Sequence, residues 1–520
     1  MDVKALQKMM NLKKPEWVAW LSALVCGFGA HLFALANILH NYDNILQQPK
    51  GYGAGITSGR WLLTLLGDFS EDVLDLGYNL GTVNGIVFLA LIALSAAFLV
   101  NTLSIRSHVG AALTGCLMAT FPTVCASMVF RYTIPYYGIS LLLAVLAAWV
   151  ADKKSWGVVL SALCLACSMG IYQAYPPFTI GMFLLILMRE ALKEEAQLKN
   201  LILRGVRYCV CLILGVIGYF VFLKLSMALL SGEQEVVLDT YQGIDTMGKI
   251  SLSELPWLVK KAWLSAALFS VQDYCGIAAT RVLKLLWSAL VLGILGIAAV
   301  LMVQKRKRLL NCLFFCLMGL LFPLAVNFIV IMAPSGIVYT IMVYSFVLIG
   351  CAPLMLMECL PDGKLTEVLR KGVIAAAVLI VFYNGYYSNL NYTRLYYANR
   401  QVENYFSGMA AQARMTEGYT PDKKLAVLGD QIDDPNFWEQ WQGEPTYGGF
   451  AGSHARGLLN TSYSVDFWVS TYIGLGPTRA QPHEIEMLTE RPEVQQMPCW
   501  PSEGSMNVVD DYLVIKLQEP

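Results

Sequence analysis

Charged side chains are scarce in this chain. Only 14% of its 520 residues are Asp, Glu, Lys or Arg, against about a quarter in soluble globular proteins. Because 56% of the residues are hydrophobic, the shortage of charge indicates a polytopic α-helical membrane protein. The formal net charge is zero, so the sequence indicates neither a basic surface for nucleic acid nor an acidic tail for a cationic partner.

Cysteines in metal-binding spacings are also missing. Most of the 13 cysteines lie inside apolar runs, where a thiol behaves as a small hydrophobe; Cys164 and Cys312 are examples. The spacings match neither a zinc site nor a disulfide framework. We therefore expect no resident cofactor, while the sequence leaves a divalent cation open.

Long apolar runs, in contrast, are abundant. A spanning helix needs about 20 mostly apolar residues, and this template predicts about eleven of them. They lie at roughly 17–39, 81–103, 109–130, 135–151, 156–172, 177–191, 208–230, 283–303, 310–332, 338–359 and 372–388. The first run is too long for a signal-peptide core, so we expect it to remain as a spanning helix.

Lysine and arginine occupy every second predicted loop, whereas the loops between are acidic or poor in both. The basic loops contain Lys13 and Lys14, Arg106, Lys153 and Lys154, Lys193 to Arg207, Lys305 to Arg308, and Lys364 to Lys371. Acidic stretches run from Asp68 to Asp75 and from Glu233 to Asp239. The positive-inside rule then predicts a cytoplasmic N-terminus and places the His40–Trp61 loop outside.

The same rule predicts substantial outer loops at about 40–80 and 231–282, within a transmembrane domain of residues 1–388. Residues 389–520 should form a small extracytoplasmic α/β domain, since about 130 residues suffice for one. Its predicted strands are Lys423 to Asp430 and Tyr512 to Leu517. Four tryptophans are candidates for its core or for a sugar-stacking surface: Trp438, Trp441, Trp468 and Trp500.

The densest group of polar residues follows the first predicted span. It contains His40, Tyr42, Asp43, Asn44, several glycines, and then Ser58-Gly59-Arg60-Trp61. A carboxylate can accept a proton from a hydroxyl, and a guanidinium makes paired hydrogen bonds to phosphate. Glycines let the backbone turn sharply or approach a ligand. The pattern fits the active-site loop of a membrane enzyme, and it also fits an ordinary polar loop with a turn.

Further polar residues stand at the outer ends of predicted spans, at the level of Asp43. They are Arg131, Tyr132, Tyr172, Gln173 and Tyr175. Polar groups at membrane depth are costly, so each of them motivates a functional hypothesis.

Two stretches have the pattern of amphipathic helices at the membrane surface. They begin at Trp61 and at Leu255. Lys260 and Lys261 in the second stretch could bind lipid phosphates or simply extend to the headgroups. The acidic residues after the first stretch are predicted to form a solvated face.

These residues suit transfer from a lipid-linked sugar phosphate. Phosphate is already a good leaving group, so the reaction needs a base for the acceptor hydroxyl and positive charge for the departing phosphate. Asp43 could be the base, and Arg60 could bind the phosphate. Aromatic faces and hydroxyls for the sugar come from Tyr42, Trp61, Tyr172 and Tyr175. His40 could orient the carboxylate, contact the sugar or be structural.

The order of these motifs resembles that of the type-II Gtr glucosyltransferases of the GT-C superfamily. The resemblance rests on an acidic residue after the first span, then Ser58-Gly59-Arg60-Trp61, then Tyr172-Gln173-Ala174-Tyr175. It implies a GT-C-like fold with the base on the first outer loop. It also implies transfer of glucose or another hexose from a polyprenyl-phosphate donor to a cell-surface polysaccharide. Asn44 stands where many members have a second acid, which weakens the case for a bound metal.

Two other classes of protein share this general pattern. A flippase or transporter of lipid-linked glycans would need a polar path through the bilayer, whereas the charged candidates here cluster at the outer ends of spans. A polysaccharide polymerase or ligase would catalyse a different transfer on the same face. The expected partners of the enzyme are membrane lipid, the lipid-linked donor and the polysaccharide acceptor, with no nucleic acid.

Overall fold

A computed structural model describes most of the chain and divides it into two compact units. The described residues are 14–47, 49–151, 156–230, 237–239, 251–429, 432, 434, 437, 455–459, 465, 467–475 and 478–519. The first unit holds the described residues up to Ala36 and Pro49–Asn389. The second holds those of Asn37–Gln48, Leu390–Thr446 and Phe450–Pro520.

The first unit consists of helices. The helices before residue 200 are α1 (Lys14–Ala36), α3 (Trp61–Asp68), α4 (Gly81–Leu103), α5 (His108–Thr120), α6 (Pro122–Ser127), α7 (Ile134–Ala151), α8 (Gly157–Ile171) and α9 (Pro176–Ala191); α2 (Tyr42–Leu46) belongs to the second unit. They are followed by α10 (Leu198–Leu230), α11 (Leu255–Ala267), α12 (Phe269–Gln272), α13 (Arg281–Gln304), α14 (Leu309–Val326), α15 (Ile329–Met332) and α16 (Val347–Leu356). The long helix α17 (Lys364–Met415) supplies residues to both units, and the division falls after Asn389.

Local sequence explains several helix starts and one close helix contact. Ser107 accepts from the amide of Gly110 and so caps α5, and Thr280 caps α13 in the same way through Leu283. Gly115 of α5 lies against α1, where an added Cβ would come within 2.2 Å of the Ala19 carbonyl oxygen. Such small residues let membrane helices approach closely.

Seven helices among the described residues are long and apolar enough to cross a membrane, as in a polytopic membrane protein. They are Lys14–Ala36, Gly81–Leu103, His108–Ser127, Ile134–Ala151, Leu198–Leu230, Arg281–Gln304 and Leu309–Val326. The other four predicted spans also overlap helices, but these are shorter or, at 372–388, part of the mixed helix α17. The number eleven therefore stays a prediction.

The second unit contains a three-stranded sheet made of β1 (Lys424–Leu428), β2 (Met506–Val509) and β3 (Tyr512–Lys516). Its strand order is β1-β3-β2, with β1 parallel and β2 antiparallel to β3. The helices α18 (Ala455–Leu459), α19 (Pro482–Thr489) and α20 (Pro492–Gln495) complete its described elements. Both strands predicted from the sequence are present, at β1 and β3.

Some predicted features lie outside the described residues: Lys13, Lys153, Lys154, Glu233, Trp438 and Trp441. Of the other two tryptophans, Trp468 is 1% exposed and Trp500 is 9% exposed, as expected of core residues. One assignment differs from the predicted division, because residues 37–48 belong with the second unit. The reason is packing: His40 contacts Asn399 of α17 and the aromatic rings near residue 468. The predicted domain boundary near residue 388 stays a prediction.

Candidate functional site

Asp43 stands on the first turn of the short helix α2. The side chain of Asn41 caps this helix by accepting a hydrogen bond from the Asn44 amide at 2.6 Å. The Asn44 side chain donates to the Leu39 carbonyl at 3.4 Å. Asn41 is thus the capping residue of this helix, and Asp43 is a half-buried acidic residue of its first turn.

His40 is anchored to α17 through its main chain. Its amide donates to the Asn399 side-chain oxygen at 2.5 Å, and the Asn399 side-chain nitrogen donates to the His40 carbonyl at 2.9 Å. The imidazole ring lies among aromatic rings, 5.0 Å from Phe467 and 5.6 Å from Trp468. The segment that carries Asp43 is thus fixed by residues more than 350 positions away in the sequence. The side chain of Tyr42 is outside what the structure describes.

Arg60 follows a tight turn in the first unit. The segment Ile56–Ser58 forms one turn of 3₁₀ helix, and Gly59 then adopts a left-handed conformation with φ of 70°. The Arg60 amide returns to the Gly55 carbonyl at 3.2 Å, and α3 begins at the next residue. A left-handed residue in this position favours glycine, which explains the Ser-Gly-Arg sequence.

The Arg60 guanidinium lies among tyrosines. Its Nη1 donates to the Tyr137 hydroxyl at 3.3 Å, and its carbon lies 5.1 Å from the centre of the Tyr172 ring. The Tyr137 and Tyr172 rings stack at 4.2 Å. Within the described part of the chain no carboxylate forms an ion pair with Arg60, and its Nε is buried without a hydrogen-bond partner. A guanidinium in this state retains hydrogen-bonding capacity for an anion.

The turn before Arg60 is bonded to two buried side chains. The side-chain nitrogen Nε2 of Gln173 donates to the Ser58 carbonyl at 2.8 Å and contacts the Tyr219 hydroxyl at 3.3 Å. The Tyr219 hydroxyl donates to the Gly59 carbonyl at 3.0 Å. The structure therefore places Gln173 in contact with the backbone of the Arg60 turn.

Two other predicted site residues, Tyr175 and Trp61, lie close to Arg60 or to the tyrosines around it. Tyr175 is 2% exposed and meets Tyr172 edge-on at 5.6 Å. Trp61 is 6% exposed and packs against Phe222 and Gly170. Close contact with these neighbours leaves little of the Trp61 ring available to a sugar.

Arg131 and Tyr132 are both in close contact with neighbouring residues of the protein. An Arg131 Nη donates to the Ala34 carbonyl at 3.2 Å, and the side chain is 5% exposed. Gly81 also lies against it, since an added Cβ would come within 2.4 Å of its guanidinium. The Tyr132 ring packs on Gly53 in the same manner. Arg60 is therefore the better placed of the two predicted arginines for binding an anion.

Lys260 and Lys261 stand on the exposed face of α11. This helix is amphipathic, because Leu258, Ala262 and Ala266 form a buried stripe at a spacing of four residues. The Lys261 ammonium lies 5.1 Å from the centre of the Trp257 ring. The helix is therefore confirmed, while contact of these lysines with lipid phosphate stays a prediction.

The acidic stretch after Trp61 is tied to Tyr52 by a side-chain hydrogen bond. The Tyr52 hydroxyl donates to the Asp68 carboxylate at 2.8 Å, and burial together with this charge raises the pKa of the Tyr52 phenol. Among the described residues there is no group of three or more His, Cys, Asp or Glu side chains that could hold a metal ion.

Sequence reasoning missed two residues of the Arg60 environment, Tyr137 and Tyr219. Tyr137 is two residues from the start of a predicted span, and Tyr219 lies within the apolar run 208–230. A hydroxyl inside an apolar run was the available signal, because such a group needs a hydrogen-bond partner inside the protein.

A mostly helical fold with seven candidate spans among the described residues indicates a polytopic membrane protein. The family model "Glucosyl transferase GtrII" matches residues 32–350, more than half of the chain. The chain therefore belongs to the GtrII glucosyl transferase family and is a glycosyltransferase. No curated protein and no solved structure matches it.

Proposed function

We propose that the protein is a GT-C-type hexosyltransferase of the bacterial plasma membrane. It moves glucose or another hexose from a polyprenyl-phosphate donor to a cell-surface polysaccharide on the outer face. Family membership supports transfer of a glycosyl group. The donor and acceptor are those that the resemblance to the type-II Gtr glucosyltransferases implies, and the chemistry of Arg60 is compatible with a phosphate-bearing donor.

The observation that carries the proposal is the state of Arg60. Its guanidinium stacks on Tyr172, has a buried Nε without a partner, and forms no ion pair with a carboxylate among the described residues. Buried or half-buried charges in proteins are normally paired, so this one is suited to a charge on the substrate. The phosphate of a polyprenyl-phosphate sugar is one such anion, and two parallel N–H donors can bind it.

The reaction then requires few protein groups. The bond between the anomeric carbon and the phosphate oxygen breaks, and polyprenyl phosphate leaves with the bonding electrons. Arg60 stabilises the charge that develops on this phosphate. The acceptor hydroxyl oxygen bonds to the anomeric carbon, and its proton passes to the carboxylate of Asp43, the proposed general base.

The remaining predicted residues have supporting roles in this proposal. Tyr172 and Tyr175 shape the region around Arg60, and Trp61 acts by packing α3 against α8. His40 and Asn44 hold the segment that carries Asp43. Lys260 and Lys261 attract lipid phosphates to the exposed face of α11.

The test uses purified full-length protein with polyprenyl-phosphoglucose and a polysaccharide acceptor. We expect release of polyprenyl phosphate together with incorporation of glucose into the acceptor. A flippase would move the lipid across vesicles without releasing the phosphate, and a polymerase or ligase would leave the monosaccharide donor intact. Either result would overturn the proposed function.

A further inference from the structure

The two carbonyl groups that precede Arg60 are both held from outside their own turn. Gln173 donates to the Ser58 carbonyl, and Tyr219 of α10 donates to the Gly59 carbonyl. Gln173 and Tyr219 also contact each other at 3.3 Å. Tyr219 is 0% exposed and Gln173 is 9% exposed, so water competes little for these bonds.

These bonds act on the part of the backbone that aims the Arg60 side chain. Fixing two successive carbonyls fixes the peptide planes on either side of Gly59, the one left-handed residue of the turn. The peptide plane after Gly59 carries the Arg60 N and Cα atoms, and on the other side of Arg60 its carbonyl accepts from the Thr64 amide at 3.1 Å. With the peptide planes on both sides held, the direction of the Arg60 Cα–Cβ bond is restricted. At the other end of the side chain, Tyr137 and Tyr172 contact the guanidinium.

Gln173 has no amide hydrogen left for a sugar in this arrangement. A glutamine side chain has two N–H donors, and the acceptors in reach are the Ser58 carbonyl and the Tyr219 hydroxyl. Tyr219 has one hydroxyl hydrogen, which it gives to the Gly59 carbonyl. The donors of both residues are therefore used inside the protein, on two backbone carbonyls and on the Tyr219 hydroxyl.

We propose that Gln173 and Tyr219 are positioning residues that orient the Arg60 guanidinium for the donor phosphate. This inference rests on the proposed role of Arg60 in phosphate binding. In this proposal neither residue touches the donor, so both should affect donor binding only through Arg60.

The experiment is a double-mutant cycle on purified full-length protein. Tyr219→Phe keeps the ring and removes the bond to Gly59, and Gln173→Met keeps the length of the side chain and removes both N–H donors without adding a charge. Each change is made in the parent and in Arg60→Ala, and binding of polyprenyl-phosphoglucose is measured. Tyr274→Phe is the matched control, because its hydroxyl also bonds inside the first unit but to Asn327. Thermal unfolding checks that each variant is folded.

In the parent, Tyr219→Phe should weaken donor binding about three- to tenfold, the usual effect of one lost hydrogen bond, and Gln173→Met, which removes two donors, should weaken it more. In Arg60→Ala, both changes should alter binding less than about twofold, and Tyr274→Phe should be silent in either background. Equal losses in both backgrounds would show a general structural role and overturn the inference. Unchanged donor binding in Arg60→Ala itself would instead refute phosphate binding by Arg60, and with it the proposed function.

Discussion

Arg60 is defined by its planar guanidinium as much as by its charge. Its carbon lies over the Tyr172 ring while Nη1 donates to the Tyr137 hydroxyl, so the group presents its donors in fixed directions, whereas a lysine ammonium is a compact charge on a flexible chain. At the scale of single residues, directed hydrogen bonds of this kind distinguish a group that binds phosphate specifically from one that contributes only positive charge.

We therefore expect Arg60→Lys to weaken binding of polyprenyl-phosphoglucose about tenfold, although the charge is retained. Arg306→Lys, an exposed change of the same chemistry, is the control. Donor binding and turnover are measured on both folded variants. Full activity in Arg60→Lys would show that the site needs only a positive charge, and the argument from stacking would fail.

Asp43 is proposed to act only while the acceptor hydroxyl loses its proton. Asp43→Asn keeps the shape and removes the charge, so turnover should fall about a hundredfold or more with donor binding nearly unchanged. Asn41 and not Asp43 is the cap of this helix, and thermal unfolding checks that the variant is folded before turnover is compared. Asp72→Asn, at an exposed position, serves as the control. Turnover of Asp43→Asn within a few fold of the parent would end the assignment.

At the scale of elements, the position of α3 depends on a glycine of α8. An added Cβ at Gly170 would come within 2.5 Å of the Trp61 ring, and Trp61 directly follows Arg60. Gly170→Ala should therefore shift α3, weaken donor binding and lower the free energy of unfolding by about 1–3 kcal/mol.

The control for this change is Gly29→Ala in α1, where an added Cβ has nothing within 4 Å. Because alanine favours helix over glycine, this variant should be neutral or slightly stabilising. The measurement is thermal or denaturant unfolding together with donor binding for both variants. Equal behaviour of Gly29→Ala and Gly170→Ala would contradict a packing role for the Trp61 contact.

Helices and strands of this chain could be predicted where the pattern that specifies them lies within one stretch of the sequence. The run 81–103 became helix α4 with the same limits, because an apolar segment of that length has one stable form in a bilayer. The strand at Tyr512–Lys516 followed from five successive residues with a strand-like pattern.

Contacts between distant residues could not be predicted from such signals. Tyr219 meets the Gly59 carbonyl across 160 positions, and Asn399 meets His40 across 359. A single sequence does not indicate which hydroxyl or amide will hydrogen-bond to a given distant carbonyl. For the same reason the sequence placed His40 and Trp61 in one loop, whereas the structure assigns them to different units.

At the scale of the whole molecule, the alternation of basic loops predicts the sidedness of the chain. Reporter domains fused after Arg308 and after Leu390 should report opposite sides of the membrane, with Arg308 inside. The fusions are assayed in intact cells with one reporter active outside and one active inside. Both fusions on the same side would refute the predicted topology.

The second unit is expected to affect the chemical step, because Asn399 of α17 holds the backbone of His40 by two hydrogen bonds. His40 is three residues before Asp43, so loosening this anchor should let the proposed base move. Asn399→Leu removes both bonds at similar size, and Asn399→Asp keeps the acceptor but cannot donate to the His40 carbonyl. We expect turnover to fall in both variants, about tenfold or more for Leu and less for Asp, with donor binding unchanged.

Arg400→Gln is the matched control for Asn399. This neighbouring residue of α17 pairs with Glu403 on the exposed surface. Turnover and donor binding are measured on folded full-length variants, and mobility of the 37–47 segment is followed by hydrogen exchange. Faster exchange there together with normal turnover would show that the anchor is structural only. A loss of donor binding in place of turnover would show that this segment contributes to binding the donor, and Asp43 would then lose its assignment as a group that acts only in the chemical step.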